Sequence, residues 1–147
     1  MRQSQGTEQV DAYVAAYECA IFLRGVTLDS RVIVKFVCSK SRVAPLKLLT
    51  LPILELLGCL LSDRLSKQVS KCLKFEANCY FWTDSNKCTY WIKGKIYNYK
   101  PFVKNRVRAT QHLTERDQWS HCPGRENPAD ILSRDIPASD LAKNSLW

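Results

Sequence analysis

Three acidic residues stand where a folded chain could put them to chemical use. Asp84 ends the apolar and aromatic run Cys79-Tyr80-Phe81-Trp82-Thr83 and is followed at once by Ser85. A short run rich in aromatics reads as a buried strand, and the polar triplet after it reads as a turn into a helical segment, Asn86 to Lys93. In an open α/β sheet, ligands are usually bound beyond the carboxyl ends of the strands, so Asp84 is a candidate metal ligand or catalytic group. Against this, Asp84 or Ser85 could simply cap the helix. Glu55 lies in the run Leu51-Pro52-Ile53-Leu54-Glu55-Leu56, off the apolar stripe of a helix. It shares a side with Gly58, Cys59 and Ser62, small residues that let a helix approach a strand while the glutamate points along the sheet edge. A solvated glutamate on a helix flank fits the same pattern. Asp130 follows Asn127-Pro128, an N-cap with proline at the first helical position, so the helix dipole favours its ionised form. Asn-x-x-Asp also resembles a capping box.

The elements that must position these groups can be read in order. A strand-like piece spans Gln9 to Asp11 and a second strand Tyr17 to Arg24. A turn follows over Gly25 to Ser30, then a half-buried strand over Arg31 to Val37, the simplest pairing being a hairpin. Lys40, Ser41 and Arg42 fall in a loop. Thr50 or Leu51 caps a helix with Pro52 in its first turn, running to about Val69, with Ile53, Leu54, Leu57, Leu60, Leu61 and Leu65 as its stripe. The segment Tyr97 to Thr110 interleaves Lys100, Lys104, Arg106 and Arg108 with Tyr97, Tyr99, Phe102 and Val103. As a helix with aromatics inward and cations outward it could grip a phosphate backbone, although a solvated basic face has the same appearance. Gln118-Trp119-Ser120-His121 reads as a last short strand, broken by Pro123-Gly124.

Bulk properties bound the function. The 147 residues suit one domain, and a net charge of +8 favours an anionic partner such as nucleic acid. The apolar stretch Ala44 to Leu61 is interrupted by Lys47, Pro52 and Glu55, so it reads as a core helix rather than a membrane span. Seven cysteines, with no Cys-x-x-Cys pair, read as reduced, buried, small hydrophobes of an intracellular protein. With only His112 and His121 as histidines, no ligand spacing fits structural zinc. No Asp-Thr-Gly or Asp-Ser-Gly word occurs, which argues against aspartic proteolysis.

Four separated words resemble the ribonuclease H-like region of BEL/Pao retrotransposon polyproteins. They are Ser39-Lys40-Ser41-Arg42-Val43-Ala44-Pro45-Leu46-Lys47, the Leu51 to Leu56 run, Phe81-Trp82-Thr83-Asp84-Ser85, and Trp119 to Arg134 with its His121-Cys122-Pro123-Gly124 core. The resemblance spans about residues 11 to 147. It implies an α/β ribonuclease H-like fold, a mixed sheet with flanking helices and a truncated first strand. It also implies hydrolysis of the RNA strand of RNA–DNA hybrids during reverse transcription, through two Mg2+ ions held by four carboxylates. Three positions fall on Glu55, Asp84 and Asp130, and the fourth on Asp11 of Asp11-Ala12-Tyr13. Magnesium takes oxygen ligands and keeps much of its water, which is why acids are required at these places. Nucleic-acid contacts fall to Lys40, Arg42, Lys100, Lys104, Arg106 and Arg108, and His121 reads as structural. The partners implied are an RNA–DNA hybrid and the reverse transcriptase and integrase regions of the parent polyprotein, with no membrane.

Some residues depart from the family's words. Gln5-Gly6-Thr7-Glu8-Gln9 stands where an apolar strand is usual, Tyr13 where serine is, and Glu18 where glycine or alanine is. Two readings follow, an active metal-dependent hybrid nuclease and a catalytically decayed nucleic-acid-binding or scaffolding module. The expected organisation is a disordered or remnant-strand stretch over 1–9, the domain over 10–134 and a tail over 135–147.

Overall fold

The computed structural model describes residues 4–13 as backbone, and residues 16–45 and 49–127 with their side chains. Five strands form one sheet in the order β3-β2-β1-β4-β5. They are β1 (Ser4–Tyr13), β2 (Ala16–Val26), β3 (Val32–Val43), β4 (Ala77–Thr83) and β5 (Trp119–His121). The first three pair antiparallel, whereas β4 pairs parallel to both β1 and β5. The helices are α1 (Leu51–Cys72), α2 (Asn86–Lys93) and α3 (Pro101–Leu113).

The polar amino terminus gives the first correction. β1 is a strand in its own right rather than a remnant. It runs ten residues from Ser4 and occupies the middle of the sheet, so a boundary at residue 10 would cut a central strand. Its ladder bonds are satisfied by β2 on one side and β4 on the other, and pairing of that kind overrides weak strand propensity. β3 is also longer than its alternation suggested: Lys40, Ser41 and Arg42 lie in the strand, paired with Cys19, Glu18 and Tyr17, rather than in a loop. The hairpin turn falls later than expected. The Thr27 N–H donates to Arg31 O at 2.8 Å and the Ser30 N–H to Thr27 O at 3.0 Å, leaving Gly25 inside β2.

α1 is the organising helix. Pro52 sits in its first turn, and the Thr50 carbonyl accepts from the N–H groups of Ile53 (2.9 Å) and Leu54 (3.2 Å). It reaches Cys72, three residues past the expected end. The stripe also differs. Leu56, Gly58, Cys59, Ser62, Asp63 and Ser66 are buried alongside Leu54, Leu60 and Leu61, whereas Ile53, Leu57 and Leu65 are half-buried. Contact with the sheet on one side and with α2 and α3 on others closes most of the helix circumference.

The main core joins Cys19, Leu56, Cys59, Leu61, Phe81, Cys88, Ile92, Val103, Val107 and Trp119. On the other face of the sheet, Ala20 and Phe22 form a small second cluster, and the Phe22 and Phe36 rings meet edge-on at 5.7 Å. Cys19, Cys59, Cys88 and Cys122 are buried free thiols, while Cys72 is exposed. Burial pushes the thiol pKa of Cys59 well up, with Cys88 and Asp63 adding to it, and burial likewise raises that of Cys122. A thiol alkylates as its thiolate. At pH 8, iodoacetamide is therefore expected to label Cys72 quickly and Cys59 and Cys122 only as fast as the protein unfolds, which peptide mass mapping over time reads directly. Because folding holds these protons, the stability they contribute is complete below the ordinary thiol range and declines as pH rises through it.

Gly94, just after α2, is required by close approach rather than by an unusual backbone angle. A Cβ there would lie 2.9 Å from the Tyr90 carbonyl and would collide with the Tyr99 hydroxyl. Gly94→Ala is expected to cost roughly 1–3 kcal/mol by overpacking, measured as a lowered denaturation midpoint.

Candidate active site

Thr83 is the point from which the acidic edge can be traced. It is the last residue of β4 and is buried at 1% exposure. Val10 of β1 pairs with it, so Asp11 and Asp84 are each the next residue along neighbouring parallel strands, at the same end of the sheet. Above the sheet, the Cys59 thiol of α1 lies close to Thr83 and Cys88. Glu55 precedes Cys59 by four residues, one helical turn toward the amino terminus of α1. That end is tied to the turn after Asp84 by the Cys88 thiol, which donates to the Pro52 carbonyl at 3.4 Å. Glu55, Asp84 and the backbone position of Asp11 thus converge on one sheet edge, and Glu55 and Asp84 are both partly exposed there.

The capping alternative for Asp84 resolves locally. Ser85 is the N-cap of α2, its hydroxyl accepting from the Cys88 N–H at 3.3 Å. The Ser85 N–H donates in turn to the Thr83 hydroxyl at 3.2 Å. The segment after β5 closes around Asp84 from the other side. The Cys122 N–H donates to Thr83 O at 2.9 Å, extending the β4–β5 ladder, and His121 Nε2 donates to the Asp84 carbonyl at 3.1 Å. That bond gives His121 a structural task, bracing the main chain that carries Asp84. Gly124 faces the carboxylate itself: a Cβ at Gly124 would lie 3.3 Å from Asp84 Oδ2. The Pro123-Gly124 break therefore leaves room beside the acid, a role that its reading as a strand terminator had missed.

Asp130 and the helix expected to carry it lie outside the described residues. Asn127, the expected cap of that helix, is buried at 2% exposure, and its N–H donates to Gly124 O at 3.1 Å. Among the described residues, no group of three or more His, Cys, Asp or Glu side chains is close enough to hold a metal ion. Of the four acids that the resemblance implies, Glu55 and Asp84 are the two whose side chains are described. Their hard oxygen donors, with the space kept open by Gly124, fit magnesium rather than a softer metal.

Two further features bear on this edge. Asp11 is paired with Glu18 on β2, and Glu18 with Ser41 on β3, so one row runs Ser41, Glu18, Asp11 across the strands. Glu18, singled out by sequence only as a departure from the family's words, is buried at 8% exposure. Lys40 and Arg42 lie on either side of this row on β3, two strands away from Asp11.

The basic segment is divided rather than uniform. α3 begins at Pro101, and Tyr97 belongs to a separate 3-10 turn where it is 79% exposed, so it is not among the inward aromatics. Val103, Val107 and Thr110 make the buried side of α3. Lys100, Lys104 and Arg108 recur every four residues along one stripe, whereas Arg106 falls across the helix from Lys104. There its guanidinium lies 3.6 Å over the Phe102 ring. Among the described residues, no helix is long and apolar enough to cross a membrane.

Comparison with known proteins matches this arrangement to known folds. The chain is similar to the N-terminal RNase H domain of Rv2228c from Mycobacterium tuberculosis, solved as a fusion with maltose-binding protein. The two share 12% identity at a TM-score of 0.55, with 96% of this chain and 95% of that one covered. It is likewise similar to LC11-RNase H1, solved in complex with an RNA/DNA hybrid, at 12% identity and a TM-score of 0.56. There the match covers 88% of this chain and 93% of that one. No curated protein sequence matches. At these identities the structural matches establish the ribonuclease H-like fold alone, and the family is established by sequence. The model of the Pao retrotransposon-like RNaseH-like domain matches residues 8–85, more than half of the chain, and this protein belongs to that family.

Proposed function

We propose that this domain hydrolyses the RNA strand of RNA–DNA hybrids, with Asp11, Glu55, Asp84 and Asp130 as the acidic set that holds two Mg2+ ions. The observation that carries this reading is the convergence of Glu55, Asp84 and the Asp11 position about Thr83 and Cys59, with Ser85 rather than Asp84 capping α2. The family match and the hybrid bound to LC11-RNase H1 support the same substrate. When bound, such a metal pair lowers the pKa of the attacking water and stabilises the leaving oxygen of an in-line displacement.

The chain's own residues do the positioning. His121 holds the main chain at Asp84, Gly124 keeps the space beside its carboxylate open, and the Cys88–Pro52 contact fixes the amino-terminal turn of α1 that leads to Glu55. Lys40 and Arg42 on β3, and the Lys100, Lys104 and Arg108 stripe, neutralise backbone phosphates. Their contribution to binding is therefore expected to fall steeply with added salt. Arg106, engaged with Phe102, contributes less than the other three basic residues of its segment.

Clustered carboxylates repel one another until a cation arrives. Magnesium is therefore expected to raise the melting temperature of the native protein, by the equivalent of roughly 2–3 kcal/mol for each ion bound at a hundredfold excess over its Kd. Calorimetric titration should show two ions bound. Glu55→Gln should lose at least one of them, and a titration unchanged by that substitution would remove Glu55 from the site. A folded protein that binds hybrid but no magnesium would instead be a scaffolding module.

A further inference from the structure

We infer that β3 is a docking edge for an extended peptide that alternates apolar and acidic residues and adds to the sheet as a sixth strand. β3 is the last strand on its side of the sheet, pairing with β2 alone among the described residues. Its amino-terminal half places Val32, Ile33 and Val34 in solvent at 53%, 45% and 52% exposure. A long edge strand with exposed β-branched residues is a template for strand addition, in which main-chain bonds give affinity and alternate side chains give selectivity. Val32 and Val34 pair with Val26 and Arg24, on the same face as Phe22, whereas Ile33 and Lys35 pair with Gly25 and Leu23 on the face toward α1. An added strand would therefore extend the Val32–Val34 row with apolar residues at every second position. The residues between them would meet Lys35.

Charge selects the occupant. β3 carries Lys35, Lys40 and Arg42 and no acidic residue, and the whole chain stands at +8, while Arg31 just before the strand is already paired with Asp29. A second copy of β3 would bring the same charges edge to edge, which opposes self-pairing. Lys35 and the register irregularity between the pairs of Ile21 and Phe22 are also devices that discourage indiscriminate pairing, leaving acidic strands as the favoured guests. Nucleic acid would use the cations but would leave the valine row in water, so the apolar exposure favours a peptide.

The test uses the full chain and a fluorescein-labelled peptide of alternating Val and Glu, with an alternating Val and Lys peptide as control. The Val-Glu peptide should bind by anisotropy, slow hydrogen exchange of the β3 amides, and bind at least tenfold more weakly to Lys35→Glu, which should gain affinity for the Val-Lys peptide. Val34→Asp, with its fold verified by circular dichroism, should also weaken the Val-Glu peptide. Failure of that peptide to protect β3 overturns the proposal. So does a concentration-dependent dimer abolished by Lys35→Glu, which would make a second copy the occupant. Loss of hybrid binding in Lys35→Glu with peptide binding unchanged would make the edge a nucleic-acid surface.

Discussion

Asp84→Asn is expected to lower cleavage of an RNA–DNA hybrid by roughly 10²–10³-fold while leaving the fold and hybrid binding in place. The size follows from the role. Metal-mediated charge stabilisation in the transition state is worth several kcal/mol, and each 1.4 kcal/mol is about tenfold in rate. The sparing of the fold follows from the local geometry. Ser85 caps α2, Thr83 and Cys122 carry the strand pairing, and His121 grips the Asp84 main chain rather than its side chain. Asn keeps the shape and removes the charge that a cation requires. Single-turnover cleavage, with melting curves of both proteins, separates the two effects. A variant that cleaves normally would remove Asp84 from the reaction, and one that unfolds would make it a structural residue.

The second large effect is on stability and lies at Trp119. This side chain is fully buried, its ring stacks on Phe81 at 4.7 Å between centroids, and its Nε1 donates to the Thr114 hydroxyl at 2.9 Å. It joins β5 to β4 and, through Thr114, to the end of α3. Trp119→Ala is expected to destabilise the domain by about 3–5 kcal/mol, chiefly through the cavity it leaves, since the Thr114 hydroxyl still donates to the Thr110 carbonyl at 3.0 Å. Trp119→Phe keeps most of the stacking and loses the hydrogen bond, so it should cost roughly 1–2 kcal/mol. Urea unfolding of the three proteins gives the comparison. Equal losses in the two variants would mean that the hydrogen bond, not the ring packing, dominates.

The sequence was most legible where one physical cause acted alone. The aromatic run to Thr83 announced a strand, buried only at Phe81 and Thr83 with Tyr80 exposed, and Asp84 was placed correctly at its end. β1 was obscured because Gln5-Gly6-Thr7-Glu8-Gln9 carries little strand propensity, and its structure comes from neighbours on both sides that no local window contains. The end of β3 was obscured by Lys40-Ser41-Arg42, polar residues that suit an exposed edge strand as well as a loop. In α1 the periodic leucines gave the helix but not the burial of Ser66, which lies against Ala77, Cys79 and Phe81 of β4, on the small-residue side that α1 turns to the sheet. The division of the basic residues was available from helical spacing, since Lys104 and Arg106 are two residues apart. The space that Gly124 opens beside Asp84 was not, because it joins elements forty residues apart in the chain. The choice between Asp84 and Ser85 as cap turns on which side-chain oxygen meets the Cys88 N–H, which spacing alone does not decide.

The most direct test of the central claim is strand-resolved cleavage of an RNA–DNA hybrid by the purified full chain in magnesium, each strand carrying its own label. The account predicts fragments from the RNA strand only, abolished by chelation and restored by magnesium. Binding of the hybrid with both strands left intact by the folded, magnesium-supplied protein would contradict it.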